Sequence, residues 1–294
     1  MTNPLSTYFR QPAIYVKLPS QGRWYPPGCI ELNDQGEVGI MPMTARDEMT
    51  IRTPDALMNG QATVDVFKSC IPAIKDPWHV PSMDADTLLV GIRIATYGES
   101  MEVTTAVPNT QETNTVQVNL NSMLERISHE AWQDVMQLSN GLVVNMKPMN
   151  YRGISQQNIK TYEEQRLIRT VQDSTMSEQQ KLEEFNKIFA KIGELSVKAI
   201  SDMIVSIKMP DHDEAVTDSV YIKEWVHNME TKYANEIRDH IDREKYKGTL
   251  PPVDIQTPAE LAEKGAPKSY QTQISMDNSN FFVPKSSRSR NLTS

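Results

Sequence analysis

The sequence predicts an α+β fold: two hairpin-plus-helix units, a small mid-chain β-insert and an extended C-terminal tail. Three observations carry that expectation. The phrase VGIMPMTARDE (Val38 to Glu48) returns as VVNMKPMNYRG (Val143 to Gly153). Each is an alternating run, then Pro-Met, then a polar residue that can open a helix. Two turn signals, Asp34-Gln35-Gly36 and Asn140-Gly141, sit between alternating runs. Later stretches carry apolar residues at helical spacing behind capping residues.

Taken in order, residues 1–30 read as an extended N-terminal arm. VKLPSQGRWYPPG is punctuated by Pro and Gly, which favour turns and extended backbone over helix. Trp24 and Tyr25 lie within it, and large aromatics in such a loop pin it to a core or to a partner. Residues 31–130 form the first α+β unit. IELND and EVGIMPM flank the Asp34-Gln35-Gly36 turn as a hairpin. Thr44 then caps a helix with Asp47 and Glu48 in its first turn, where the helix dipole favours acids. Thr53-Pro54-Asp55 starts a second helix that ends at Asn59-Gly60. Val64, Phe67 and Ile71 line a third, closed by Pro72. A fourth is capped at Asp84, with Leu88, Leu89, Ile92 and Ala95 inward and Gly98 as its stop. The Thr/Val-rich alternation near 99–120 is the β-insert.

Residues 131–250 form the second unit. A hairpin turns on Asn140-Gly141, and Ser155 caps a helix through Val171. Ser177 and Gln180 make a capping box. Behind it Leu182, Phe185, Ile188, Phe189, Ile192, Leu195, Ala199 and Ile200 form one inward stripe. IVSIK is β-branched and precedes Pro210, so it is a strand; DHDE is its turn and AVTD its return. Asp218 caps a helix burying Tyr221, Ile222, Trp225 and Met229. Thr231 starts another, with Ala234, Ile237 and Ile241 inward. Residues 251–294 hold five prolines and no periodicity, which reads as a tail. Within it, Phe281-Phe282-Val283-Pro284 is an apolar patch suited to anchoring on a partner or on the chain's own body.

Composition excludes several classes. No apolar run is long enough to span a bilayer, and the N-terminus lacks a signal-peptide pattern. Cys29 and Cys70 are too few for a disulfide framework or zinc knuckle and read as small buried side chains. The net charge is −8, unevenly spread. Arg10, Lys17 and Arg23 sit in an arm without acids, and Lys285, Arg288 and Arg290 in a C-terminus without acids. Setting those six aside leaves 24 basic against 38 acidic residues in the body. Such a body repels nucleic acid, while basic ends suit acidic protein surface.

Catalytic chemistry finds no footing. There is no G-x-S-x-G, P-loop or G-x-G-x-x-G motif. His212 and Asp213 in the DHDE turn, with His227, form the one metal-like cluster, and a metal-dependent enzyme built on them is the rival reading. Metal ligation needs ligands converging in a fixed frame, whereas an acidic turn is ordinarily solvated. No metal or cofactor is therefore expected. The 16 methionines suit core gaps and adaptable protein surfaces.

The stretches LPSQGRWYPPG, PMTARDEM, TPDALMNGQATVDVFKSCIP, DPWHVPSMDADTLLVGIRIATYGESMEV, EEQR, IVSI, TDSVYIKEW and SNFF, in this order, resemble the T4-like phage baseplate hub family. The resemblance covers residues 16–247 and the SNFF stretch. Members of that group often carry cysteine pairs in the insert and near the C-terminal aromatics. Here those places read TTAVPNTQETNT and SYQTQISMDNSN, without cysteine, so the insert is expected to hold by sheet pairing and the tail by docking. The resemblance implies a non-enzymatic virion protein of the tail baseplate, assembled in the host cytoplasm. It would bind other hub proteins and tape-measure proteins, without direct nucleic-acid or membrane contact, and self-association within the baseplate is compatible with it. A transient assembly chaperone absent from the mature virion is the alternative. The expected partner contacts are Arg23, Trp24, Phe281 and Phe282.

Overall fold

A computed structural model describes residues 4–52, 60–172 and 176–274, apart from the side chains of 171 and 172. The expected helix at Thr53-Pro54-Asp55 and the Phe281-Phe282 patch lie outside the described residues. The chain is α+β, with helices and small antiparallel sheets around two apolar cores.

The first core begins in the arm. Strand β1 (Ile14–Lys17) pairs antiparallel with β2 (Glu37–Ile40), Val16 opposite Val38 and Ile14 opposite Ile40. This corrects the expected irregular arm and the expected partner of EVGI. The Asp34-Gln35-Gly36 turn does form, closed by the Asn33 side chain accepting from the Gln35 and Glu37 N–H groups. The residues before it, however, bridge Ile30 to Ile74 instead of pairing with β2. Behind Pro42, Thr44 and Asp47 cap α1 (Ala45–Ile51) reciprocally. Helix α2 (Gln61–Cys70) buries Val64, Val66 and Phe67.

Helix α3 (Ser82–Tyr97) is the central element, with Leu88, Val90 and Ile92 inaccessible in the first core. Gly91 is where the β1–β2 ribbon crosses it: a Cβ there would stand 2.3 Å from Ile40 Cδ1, so the side chain is omitted to let the two elements meet. Strands β3 (Ser100–Ala106) and β4 (Thr113–Asn119) form the β-insert hairpin in unbroken register. Asn119 then caps a short α4 (Leu120–Glu125).

The second core is built on a four-stranded antiparallel sheet. Its strands are β5 (Val135–Gln137), β6 (Val143–Met146), β7 (Ile204–Lys208) and β8 (Ala215–Val216), in that order. Gly141, with φ +88°, makes the tight turn between β5 and β6. Helix α5 (Tyr151–Gln172) opens at Asn150, whose side chain accepts from the Gly153 N–H. Ser155, expected as the cap, is buried one turn inside the helix beside Gly60. Asn150 comes first in the chain and already satisfies the end of the helix. Helix α6 (Glu178–Met203) starts at the Ser177–Gln180 capping box and runs back along α5. Asp218 caps α7 (Ser219–Asn228), and α8 (Thr231–Glu244) follows.

Past α8 the chain is more ordered than its prolines suggest. Strand β9 (Val253–Gln256), a one-turn α9 (Ala259–Ala262) and β10 (Ser269–Thr272) form a hairpin. Leu250 and Ile274 are buried in the first core, and Thr105 of β3 meets Thr272 at 3.1 Å. The tail expected from residue 251 onward is thus corrected as far as Ile274. Each strand is four residues long and half polar, which leaves little periodicity to read.

Candidate protein-binding surfaces

The Pro/Gly arm ends in a loop that holds both cores. Leu18 is buried in the first core and Trp24 packs against the second. Three left-handed residues shape the turn: Gln21 (φ +54°), Gly22 (φ +80°) and, after Arg23, Trp24 (φ +74°). Non-glycine residues there store strain that the surroundings must offset. The offset is Asp84. Its carboxylate has no solvent exposure and accepts from the Ser20 N–H at 2.8 Å, the Ser20 hydroxyl at 2.5 Å and the Tyr25 hydroxyl at 3.1 Å. Sequence reasoning placed Asp84 as a helix cap. It lies instead inside the first turn of α3 and reaches across to the loop. Burial pushes its carboxyl up to about 6, against the downward pull of those donors. Burial, with the neighbouring Asp84 charge, also raises the Tyr25 phenol.

Two of the expected contact residues sit on this loop. The Arg23 guanidinium lies 4.4 Å over the Trp24 ring and 3.0 Å from the Asp134 carboxylate. Both residues therefore have partners within the chain, although half of the Arg23 side chain remains in solvent. Further back, Arg10 fastens the arm to the first core. It donates to the Pro42 carbonyl, to the Ser69 carbonyl and hydroxyl, each at 2.7 Å, and to Asp47 at 3.2 Å. Ahead of it Tyr8 and Phe9 stand in solvent.

The clearest uncovered apolar surface was missed. Helices α5 and α6 form a long antiparallel hairpin. Glu163 is buried within it and bonded by Lys191 at 2.6 Å, while Arg166 reaches both Glu163 and Glu184. On α6, Ile188 and Ile200 are buried as expected, and Met203, expected to open the following strand, is buried at the end of the helix. Leu182 and Phe189, placed inward by the sequence, are 61% and 62% exposed. The Phe185 and Phe189 rings stack 5.9 Å apart. Tyr162 and Ile168 on α5 are exposed as well. The signal was available: Leu182, Phe185, Phe189 and Ile192 keep a three-four spacing, a seam that asks for a second helix, while Glu184 and Lys191 already meet α5.

Helix α7 carries another such face. Ile222 and Val226 are buried, but Val220 and Tyr221 are 67% and 63% exposed. Tyr221 was expected inside, one position from the face that Ile222 and Val226 bury. His212 and Asp213 lie exposed before this helix and His227 near its end. Among the described residues no group of three His, Cys, Asp or Glu side chains is arranged to hold a metal. Cys29 and Cys70 are buried free thiols. No helix among the described residues is long and apolar enough to cross a membrane.

No curated protein and no solved structure matches the chain. The family model described as T4 bacteriophage base plate protein matches residues 13–251, from the start of the β1–β2 ribbon to the end of the helical body. The chain thus belongs to the T4 bacteriophage base plate protein family.

Proposed function

We propose that the protein is a non-enzymatic structural component of the central hub of a contractile tail's baseplate, acting by binding hub and tape-measure proteins. One observation carries this reading: Leu182 and Phe189, on a helix whose base is locked into the second core, present an apolar seam that nothing in the described chain covers. Exposed apolar surface concentrated on one rigid element is the mark of a binding face. The two ends of the chain suit the same role, with Arg23 and Trp24 contributing from the loop after β1 and Phe281 and Phe282 from the sequence beyond the described residues. Self-association within the baseplate and assembly in the host cytoplasm belong to this proposal.

The test is quantitative mass spectrometry of gradient-purified particles from phage carrying the native protein or Leu182→Lys/Phe189→Lys. A whole-number copy count per tail, lost in the variant, is the expected result. Absence of the native protein from particles, with abundance in lysate, would instead identify a transient assembly chaperone. Undiminished incorporation of the variant would remove the seam from the interface.

A further inference from the structure

We infer that the α6 seam is closed by a second copy of the chain, two α6 helices packing antiparallel about a two-fold axis that passes between Ala190 and Lys191. This rests on the hub reading in taking the seam as a binding face, and it names what covers that face: another copy of the same hub protein.

The sizes of the side chains along the seam point to that partner. Leu182, Phe185 and Phe189 lie in the first half of the helix, and Ile192, Ser196 and Ala199 continue the same three-four spacing in the second. None of the six is fully covered: Leu182 and Phe189 are exposed and the other four half-buried. A second α6 running the opposite way sets Leu182 against Ala199, Phe185 against Ser196 and Phe189 against Ile192. Each bulky residue then meets a smaller one, so the layers interdigitate. A parallel partner would instead set ring against ring at Phe185 and Phe189, and would leave Ser196 and Ala199 facing their own counterparts across a void. Gly193 lies beside the seam, and a Cβ there would meet nothing within 4 Å. A glycine inside a helix costs about 1 kcal/mol; here it leaves room for a second backbone to approach.

The charges select the same register. Helix α6 carries nine charged residues. Six of them are ion-paired among the described residues: Glu178 with Lys181, Lys198 with Asp202, Glu184 with Arg166 and Lys191 with Glu163. Glu183, Lys187 and Glu194 remain without an ion pair there. All three are exposed, and their spacings of four and seven place them on one flank of the helix. In an antiparallel pair, like flanks meet. The register set by side-chain size brings Lys187 of each copy beside Glu194 of the other. It also brings Glu183 beside Lys198, which Asp202 already holds within the chain. Volume and charge thus pick out one alignment, and a two-fold arrangement of this kind closes at two copies.

The experiment is sedimentation velocity on the purified full chain over a range of concentrations. A reversible monomer–dimer equilibrium is expected. Phe189→Lys should weaken it by about a hundredfold or more. Melts at dilution, where the native protein is monomeric, should coincide for the two proteins, so that the loss is one of association. Lys187→Glu or Glu194→Lys alone turns two attractive rim pairs into repulsive ones and should weaken the dimer about tenfold. The double variant Lys187→Glu/Glu194→Lys restores both pairs and should return to within about threefold of the native constant. A mixture of the two single variants should form heterodimers in preference to either homodimer. Monomers alone up to about 100 μM, a dimer indifferent to Phe189→Lys, growth beyond two copies, or a double variant no better than the singles would each overturn the inference. Particles that contain the protein although the purified chain stays monomeric would remove the dimer and keep the hub reading, so the two fail separately.

Discussion

The Ser20 hydroxyl lies 2.5 Å from the Asp84 carboxylate, and this bond joins the arm's strained loop to the first turn of α3. The carboxyl is pushed up to about 6 from 3.8, so the folded chain holds this proton more tightly than the unfolded chain does. The stabilisation is fully present below about pH 4 and is lost as pH rises through 6, by about 3 kcal/mol in all. Asp84→Asn keeps the shape without the charge. Relative to the variant, the native protein should gain stability in urea melts on going from pH 7 to pH 4.5. Parallel pH profiles for the two proteins would rule this out. Asp84→Ala should cost about 2–4 kcal/mol at pH 7, because the Ser20 and Tyr25 donors lose their acceptor.

Arg10 gives the arm its hold on the first core. Arg10→Ala removes bonds to Pro42, Ser69 and Asp47 and should cost about 1–3 kcal/mol. Asp47 keeps its bonds from Thr44 and Ser69, so α1 should persist. Limited proteolysis followed by mass spectrometry should show faster cleavage before Ala13 in the variant and unchanged cleavage in the second unit.

Gly91 and Ile40 form a matched pair. Gly91→Ala sets a methyl against Ile40 Cδ1 and should destabilise by about 1–3 kcal/mol, despite alanine's better helix propensity. Ile40→Val deletes the clashing carbon. The double variant should therefore melt above Gly91→Ala alone, and a lower melting temperature would show that the crowding lies elsewhere.

The Leu182/Phe189 seam is exposed, so Leu182→Lys and Phe189→Lys should each change stability by no more than about 0.5 kcal/mol. Their effect belongs to assembly. Thermal melts within that limit, together with loss of the protein from particles, are expected; a large drop in melting temperature would mean that the seam supports the fold.

What could be read from the sequence was local. The Thr44–Asp47 and Ser177–Gln180 capping boxes, the Asn140-Gly141 turn and the β-branched run after Met203 each carry their signal within a few residues, and each formed. What could not be read was remote. Strand β1 needs β2, more than twenty residues on, to become a strand. β9 and β10 are short, polar and separated by a helical turn. The stripe on α6 was seen, but periodicity reports that a face is apolar and not what covers it, so Leu182 and Phe189 were placed inside. Arg23 and Trp24 were picked out for their chemistry. The Arg23 ion pair with Asp134 and its stacking over the Trp24 ring became visible only once the two cores stood on either side of the loop.

The first core is closed by Leu250 and Ile274, which leave the ribosome long after the helices they cover. At about 5–20 residues per second, the chain between α4 and Ile274 takes on the order of ten seconds or more to make. Throughout that interval the apolar floor beneath these two residues stays open on an otherwise folded N-terminal half. A nascent chain of this protein therefore passes through a long sticky stage during translation, and a premature stop before codon 250 should leave a product that the host's chaperones and proteases recognise.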